Sequence, residues 1–378
     1  MATVSQPAPR RSRRTAPASR SKVAVVATRP ETVLDDIGRA MRLAGYQETL
    51  SPSLATILKI NLSWQVYYPA CSTTPWQLEG VIKALRDDGY GDLVPLQNGT
   101  VVVDSHEGER RNRHLGVLRR YGLTSVHQGD PGITWRRYEP KSKMLVLDQI
   151  FPDGILIPEL LIGKNIIHLP TVKTHVFTTT TGAMKNAFGG LLNENRHWTH
   201  SVIHETLVDL LAIQKEIHPG LFAVMDGTFV GDGPGPRAMR FHVKNVILAS
   251  ADQVAIDAIA AKLMGFDPLS LRYIRLAHEA GLGCGDPAEI EVVGEDIEGV
   301  NWELHAQEET FASRGQKLIY WGPLKPLENL LLRSPIVPWA YAASNLYHNS
   351  FWYRFIGQRR VAEAMKTGWG QLFLRYEE

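Results

Sequence analysis

KVAVVATRPETVLDDIGRAMRLAG, residues 22–45, decides the fold class. KVAVVAT is a short β-rich run, and Pro30 closes it. The residues that follow place Val33, Ile37, Met41 and Leu43 close to helical spacing, and Gly45 ends the helix. The unit is strand–helix, and it recurs. ATILKINLS (55–63) reads as a second strand, and Thr74–Pro75 opens a helix that runs through WQLEGVIKALRDDG to Gly89. TVVVDS (100–105) reads as a third strand that stops at Asp104. Such alternation predicts an α/β protein, a mainly parallel sheet with helices on both faces.

Working outward, a helix is expected near 111–121, a strand at KNIIHLP (164–170) and a helix over Ser201–Ile217. LFAVMDG (221–227) and HVKNVILAS (242–250) read as strands. Helices follow at DQVAIDAIAAKLMG, ending at Gly265, and at LRYIRLAHEAG, ending at Gly281, with a late strand at AEIEVVG (288–294). The α/β domain, in one lobe or two, is assigned to residues 22–300. It is flanked by a disordered basic tail (1–21) and an aromatic-rich, irregular arm (301–378).

The chain has 378 residues, 44% hydrophobic and 21% charged, which suits an ordinary globular protein. The net charge of +2 hides an asymmetry. Arg10, Arg11, Arg13, Arg14, Arg20 and Lys22 lie in the first 22 residues, which carry no acid; without those six, 35 basic residues face 39 acidic ones. The body is mildly acidic, so nucleic acid is not an expected partner. No apolar stretch follows the arginines, so the tail does not read as a secretory signal. The two cysteines, Cys71 and Cys284, cannot supply the roughly four thiolates of an iron–sulfur cluster or cysteine-ligated zinc site. They fit cytoplasmic residence and no iron–sulfur cluster of the chain's own. No apolar run reaches the ~20 residues of a membrane span. The arm gathers Trp321, Trp339, Trp352 and Trp369, with Tyr and Phe among basic residues. Residues 335–361 suit either a peripheral membrane or protein contact, or a wrap over the core.

In open parallel sheets, ligands sit beyond the carboxyl ends of strands. Polar residues fall where those ends are read: Lys59 and Asn61, Asp104 to His106, Lys173 and His175, Asp226, and Ser250. Asp104 and Ser250 also suit simple helix capping. PTVKTHVFTTTTGAMKNAFGG (170–190) combines two lysines, a histidine and four successive threonines ahead of a helix start near Ala183. Free N–H groups at a helix start favour an anion. The loop therefore reads as a cradle for a carboxylate or phosphate, formed by Lys173, Thr180, Thr181, Gly182, Lys185 and Asn186, with Lys59 and Asn61 alongside. The competing reading is a turn-rich loop with solvated lysines. Its spacing is not that of a P-loop, and no Rossmann glycine fingerprint occurs.

His197, His200 and His204 have spacings that put them on one face of a helix that begins early enough. That pattern serves metal ligation, phosphate binding or acid–base work alike. GDGPGP (231–236) reads as a rigid loop, and Asp226 with Asp232 offers carboxylates to a hard cation. A divalent or transition metal on Asp226, Asp232, His200 and His204 is thus one expectation. A structural turn is the other.

LKINL (58–62), HLPTVKTHVFTTTTGAMKNAFGGLL (168–192), MDGTFVGDGPGP (225–236) and ILASADQVAIDAIAAKLMG (247–265) together resemble the domain-of-unknown-function 362 family, over roughly residues 22–295. The resemblance implies an α/β domain. Many members carry a ferredoxin-like cysteine segment that suggests redox partners; this chain lacks it. Where the family usually has proline between Lys and Asn, Ile60 stands. The chain is also similar, more faintly, to the nickel-pincer lactate racemase family. That likeness implies proton or hydride transfer at a hydroxy-acid carbon.

The expected function is an enzyme acting on an anionic small molecule by acid–base chemistry such as isomerisation or epimerisation. His175, His200, His204 and Lys185 are the catalytic candidates, with metal assistance left open. A non-catalytic cofactor-binding or maturation protein is a second reading. An electron-transfer oxidoreductase that relies on a partner's iron–sulfur cluster is a third.

Overall fold

The computed structural model describes residues 20–99, 103–306, 311–323, 325–327 and 346–378. The basic tail up to residue 19, the start of the strand expected at 100–105, and residues 335–345 of the arm lie outside the described residues.

A twisted sheet organises the chain. Its strands are β1 (Lys22–Ala27), β2 (Thr56–Ile60), β3 (Leu93–Gln97), β4 (Val126–His127), β7 (Asn165–Leu169), β10 (Leu221–Asp232), β11 (Arg240–Ser250) and β12 (Glu291–Gly294). They lie in the order β12-β1-β11-β10-β7-β2-β3-β4. A separate two-stranded ribbon joins β5 (Trp135–Tyr138) to β6 (Ile155–Pro158). The pairs β4–β3, β3–β2, β2–β7, β7–β10 and β1–β12 are parallel, while β11 runs against both of its neighbours.

Alternation along each strand divides the core into two. Val23, Val25, Ile57 and Ile166 face one apolar cluster; Ala24, Val26, Leu58 and Ile167 face the other. Helices α1 (Val33–Leu43) and α2 (Pro75–Asp87) cover the second face. The helices Ile203–Ile217, Gln253–Met264 and Arg272–Glu279 cover the first. Strands buried on both faces explain the near-continuous apolar runs of the sequence. The α/β reading holds.

Three assignments change. Gly231 and Asp232, read as the start of a rigid loop, end β10, because they pair with Phe241 and Arg240 of β11. The third strand is LVPLQ (93–97); residue 103 lies in a bend, and Asp104 instead caps a helix over Ser105–Arg111 by accepting the Glu107 N–H at 3.0 Å. Pro95 is tolerated there because it pairs only with Leu58; β4 joins β3 from Leu96 onward and needs no N–H from the proline. The helix expected near 111–121 is two helices, parted by Arg113 at φ 62°.

The arm's last residues wrap over the core. Helix Gly368–Arg375 buries Trp369 to 2% exposure, 5.3 Å from Trp76, and its Nε1 donates to Asn245 Oδ1 at 2.7 Å. Phe373 stacks on Tyr67, and Trp352 packs 6.1 Å from Trp64. Trp369→Ala is therefore expected to cost about 3–5 kcal/mol. Denaturant unfolding measures this, and a loss under about 1 kcal/mol would show that the C-terminal helix does not belong to the cooperative core.

Candidate functional site

The cleft forms where β7 is interrupted. β2 pairs with β7 up to Ile60 and Leu169. Beyond Pro170 the chain resumes as β8 (Thr171–His175), which stays with β10, pairs with the short β9 (Thr179–Thr180) and leaves β2. The end of β2 is pulled the other way, since Asn61 N–H donates to Thr73 Oγ1 at 2.9 Å and Thr73 N–H to the Asn61 carbonyl at 2.8 Å. The gap is a cleft of about 140 Å³ lined by Asn61, Ser63, Asn98, Lys173, His175, Thr181, Gly182, Lys185, Asn186 and Arg196, together with Pro170, Phe188, Gly189 and Pro236. Among the described residues, no aspartate or glutamate lines it.

Period two puts Lys173 and His175 on one face of β8. Lys173 Nζ donates to the Cys71 carbonyl (2.5 Å) and Thr171 Oγ1 (3.0 Å), with Ser63 Oγ at 3.5 Å. Burial lowers its pKa to about 8, against the nearby Cys71 thiol, which favours the charge. Lys185, half-buried, has its Nζ 5.4 Å from the Phe188 ring centroid. Burial first, then the charges of Lys173 and Arg196, bring it to about 8. His175 Nδ1 accepts the N–H groups of Phe177 (3.2 Å) and Thr178 (3.4 Å), which places the ring proton on Nε2. Burial, then the charges of Lys185 and Lys173, hold His175 well below its ordinary pKa, so its imidazole is neutral.

The helix start does not serve as the expected cradle. Ala183 and Met184 N–H donate to the buried Asp257 carboxylate at 2.6 and 3.1 Å, so that carboxylate, from the helix Gln253–Met264, already occupies the N-terminus. Gly182, at φ 135°, permits this approach: a Cβ there would lie 2.2 Å from Asp257 Oδ1. Any anion in the cleft meets side chains instead.

Other expected residues fall elsewhere. Thr180 turns from the cleft and pairs its hydroxyl with Tyr273 Oη at 2.8 Å. Lys59 lies behind the wall. Its Nζ donates to the Ile60 carbonyl (2.6 Å) and to Asn98 Oδ1, and burial, then Arg196, lowers its pKa to about 7. It positions Asn98. Asn186 lines the cleft while its Nδ2 donates to the Lys59 carbonyl at 2.9 Å.

The three histidines do not share one helix face. His197 and His200 belong to a tight 3₁₀ stretch, Glu194–Val202, and His204 to the α-helix that follows. His200 Nδ1 pairs with the His197 carbonyl at 3.0 Å and its ring stacks on Tyr320; His204 stacks on Tyr273. Neither lines the cleft. Burial lowers the pKa of both, to about 3 for His200.

Asp226 and Asp232 are equally separate. Asp226 sits inside β10 rather than at its end, bonded to Thr74 Oγ1 and accepting the Thr228 N–H at 2.7 Å. Asp232 accepts the His305 N–H at 2.6 Å and faces Arg240 and His242. The four proposed metal ligands do not converge, and among the described residues no group of three or more His, Cys, Asp or Glu is placed to hold a metal ion. Ser250 lies at the opposite edge of the sheet because β11 is antiparallel; its hydroxyl donates to the Lys22 carbonyl at 2.7 Å and accepts the Asp252 N–H at 2.9 Å. His106 pairs with Asp130 at 2.9 Å, away from the cleft.

Arg196, Asn98 and Ser63 are cleft residues that sequence reasoning did not select. Arg196 stands among the histidines that drew attention, and Asn98 follows the strand Leu93–Gln97, which lies ahead of the 100–105 run read as the third strand. Arg196 reaches the Gly99 carbonyl at 2.6 Å, tying the 3₁₀ stretch to the end of β3.

The family described as "Domain of unknown function (DUF362)" matches residues 56–262, a span that holds every cleft residue. The chain belongs to the DUF362 family. It is 27% identical over 134 residues to the thylakoid-associated protein sll1697 of Synechocystis sp., a match that covers 34% of this chain and 40% of that protein. No solved structure matches the chain. The racemase likeness gains no support from these matches. Among the described residues, no helix is long and apolar enough to cross a membrane.

Because Asp257 and Gly182 fix the loop that presents Lys185, Gly182→Ala is expected to cost about 1–3 kcal/mol. Unfolding curves of the variant check this. Wild-type stability would mean the loop is not held by that contact.

Proposed function

We propose that this DUF362 protein is an enzyme that binds a small anionic substrate in the cleft between β2 and β8 and moves a proton on it, as in isomerisation or epimerisation. The observation that carries the reading is a cleft lined by Lys173, Lys185 and His175, with no carboxylate among its described lining residues. Lysines held by neutral acceptors and an aromatic face keep their charge for a ligand, and a bound anion offsets it.

The roles follow from the geometry. Lys173, already oriented by neutral acceptors, attracts the substrate's negative group. Lys185, near pKa 8, has a usable neutral fraction at pH 7 and takes or returns the proton. Neutral His175 donates its Nε2–H to oxygen that becomes negative as the proton leaves. His200 and His204 are left as packing residues behind the site.

Proton abstraction is read by solvent-hydrogen exchange into small carboxylates and phosphate esters, followed by NMR in heavy water. Lys185→Met is expected to abolish exchange, and His175→Ala to slow it about 100-fold. Lys185 must be neutral and Lys173 protonated. The rate should therefore rise with pH towards about 8 and fall beyond it, as Lys173 loses its charge. Full activity in both variants would refute these roles.

Peripheral membrane association is a second, compatible reading. The relative is thylakoid-associated by name, and this chain exposes Phe355 (57%) and Ile356 (40%) between the exposed Arg354 and Arg359. Apolar tips flanked by arginine suit an anionic lipid surface. Co-sedimentation with vesicles containing anionic lipid is expected for the wild type and lost in a Phe355→Ser, Ile356→Ser double variant. Equal binding by that variant would dismiss this surface.

A further inference from the structure

We infer that Ser105, His127 and Glu109 form a second reactive centre, in which the Ser105 hydroxyl is a nucleophile that accepts an acyl group from a small carboxylic ester. None of the three lines the cleft, so this activity is separate from the proton transfer proposed there.

The polar stretch Asp104–His106 stands out in the sequence, and the cleft makes no use of it. Ser105 opens the helix Ser105–Arg111, and Glu109, four residues on, lies on the same face. His127 ends the edge strand β4, where it pairs with Gln97 of β3. The fold brings that strand end against the helix. Ser105 Oγ lies 2.8 Å from His127 Nδ1, and Glu109 Oε2 lies 3.3 Å from His127 Nε2. A nucleophile, a base and a group that orients the base are thus joined in sequence, the geometry by which such centres are recognised on unrelated folds.

The carboxylate decides where the protons sit. His127 and Glu109 are each 5% exposed, and Gln97 Nε2 donates to the other carboxylate oxygen at 3.2 Å. Burial raises the pKa of Glu109, but hydrogen bonds from His127, Ser125 and Gln97 outweigh it and keep the carboxyl below its ordinary value. A buried carboxylate at Nε2 calls for the ring proton there, which leaves the Nδ1 lone pair to the Ser105 hydroxyl. Ser125 Oγ lies 3.0 Å from Nε2, on the proton-bearing side, and so is not activated by this ring. The His106 ring stacks on His127 at 3.7 Å and is itself paired with Asp130 at 2.9 Å. His127 is thereby held at both nitrogens and on one face. Ser105 is half-buried beside the exposed Asp104 and His106, so an ester reaches it from solvent.

In the reaction, the Ser105 oxygen bonds to the acyl carbon as its proton passes to His127 Nδ1. The bond to the alcohol oxygen then breaks, and that oxygen takes the proton. Water, deprotonated in turn by Nδ1, attacks the acyl-serine and frees the carboxylic acid, and Ser105 recovers its proton.

The test treats the full chain with a fluorophosphonate, which phosphonylates activated serines, and maps the adduct by mass spectrometry. Nitrophenolate release from p-nitrophenyl acetate reports acyl transfer. The wild type is expected to carry an adduct on Ser105, and Ser105→Ala to carry none. His127→Gln should slow both labelling and nitrophenolate release about 100-fold, and Glu109→Gln about tenfold, with unchanged circular dichroism spectra. If His127→Gln does not fold, the wild-type adduct map and Glu109→Gln decide. No adduct on the native wild type, an adduct on Ser125 in place of Ser105, or full-rate labelling in a folded His127→Gln would overturn the assignment.

Discussion

Strand β10 supports two consecutive strands along one edge, β7 and then β8, and Pro170 lies between them. Lacking an N–H, Pro170 cannot extend the ladder towards β2, while its carbonyl still accepts the Asp226 N–H at 3.0 Å and Gln77 Nε2 at 2.9 Å. The chain therefore keeps its hold on β10 and lets go of β2. Every feature of the cleft depends on that divergence. Lys173 and His175 come from one side of the split, Asn61 and Ser63 from the other, and the loop at Gly182 closes the end.

Electrostatics then separates charges of opposite sign. Cations line the cleft, and the nearby buried carboxylates are spent elsewhere. Asp257 clamps two backbone amides, and Asp226 holds Thr74 and the Thr228 amide. Each satisfies its oxygens with neutral donors, and burial raises the pKa of both. Had either faced Lys173 or Lys185, an internal ion pair would have formed in the cleft.

Aromatic packing closes the structure from outside. Trp76 and Trp64, from the segment after β2, receive Trp369 and Trp352 from the C-terminal segment. The residues that wall one side of the cleft are therefore braced by a part of the chain beyond the family match, which ends at residue 262.

Much of this was legible in the residues alone. Apolar runs and helix periodicity determined the α/β class, and the spacing of Lys173, His175, Thr181, Gly182, Lys185 and Asn186 grouped residues that do line one cleft, because period two and a tight loop are local properties. Non-local pairing was not legible. The sequence could not say that β11 runs antiparallel, which sends Ser250 to the far edge, nor that Asp226 lies inside a longer strand. It could not say that Asp257, more than 70 residues away, would claim the helix start offered to a ligand, or that Arg196 rather than His200 would face the cleft. Backbone periodicity depends on neighbours in the chain, whereas the partner of a buried polar group depends on which elements the fold brings together. Tertiary structure alone decided that.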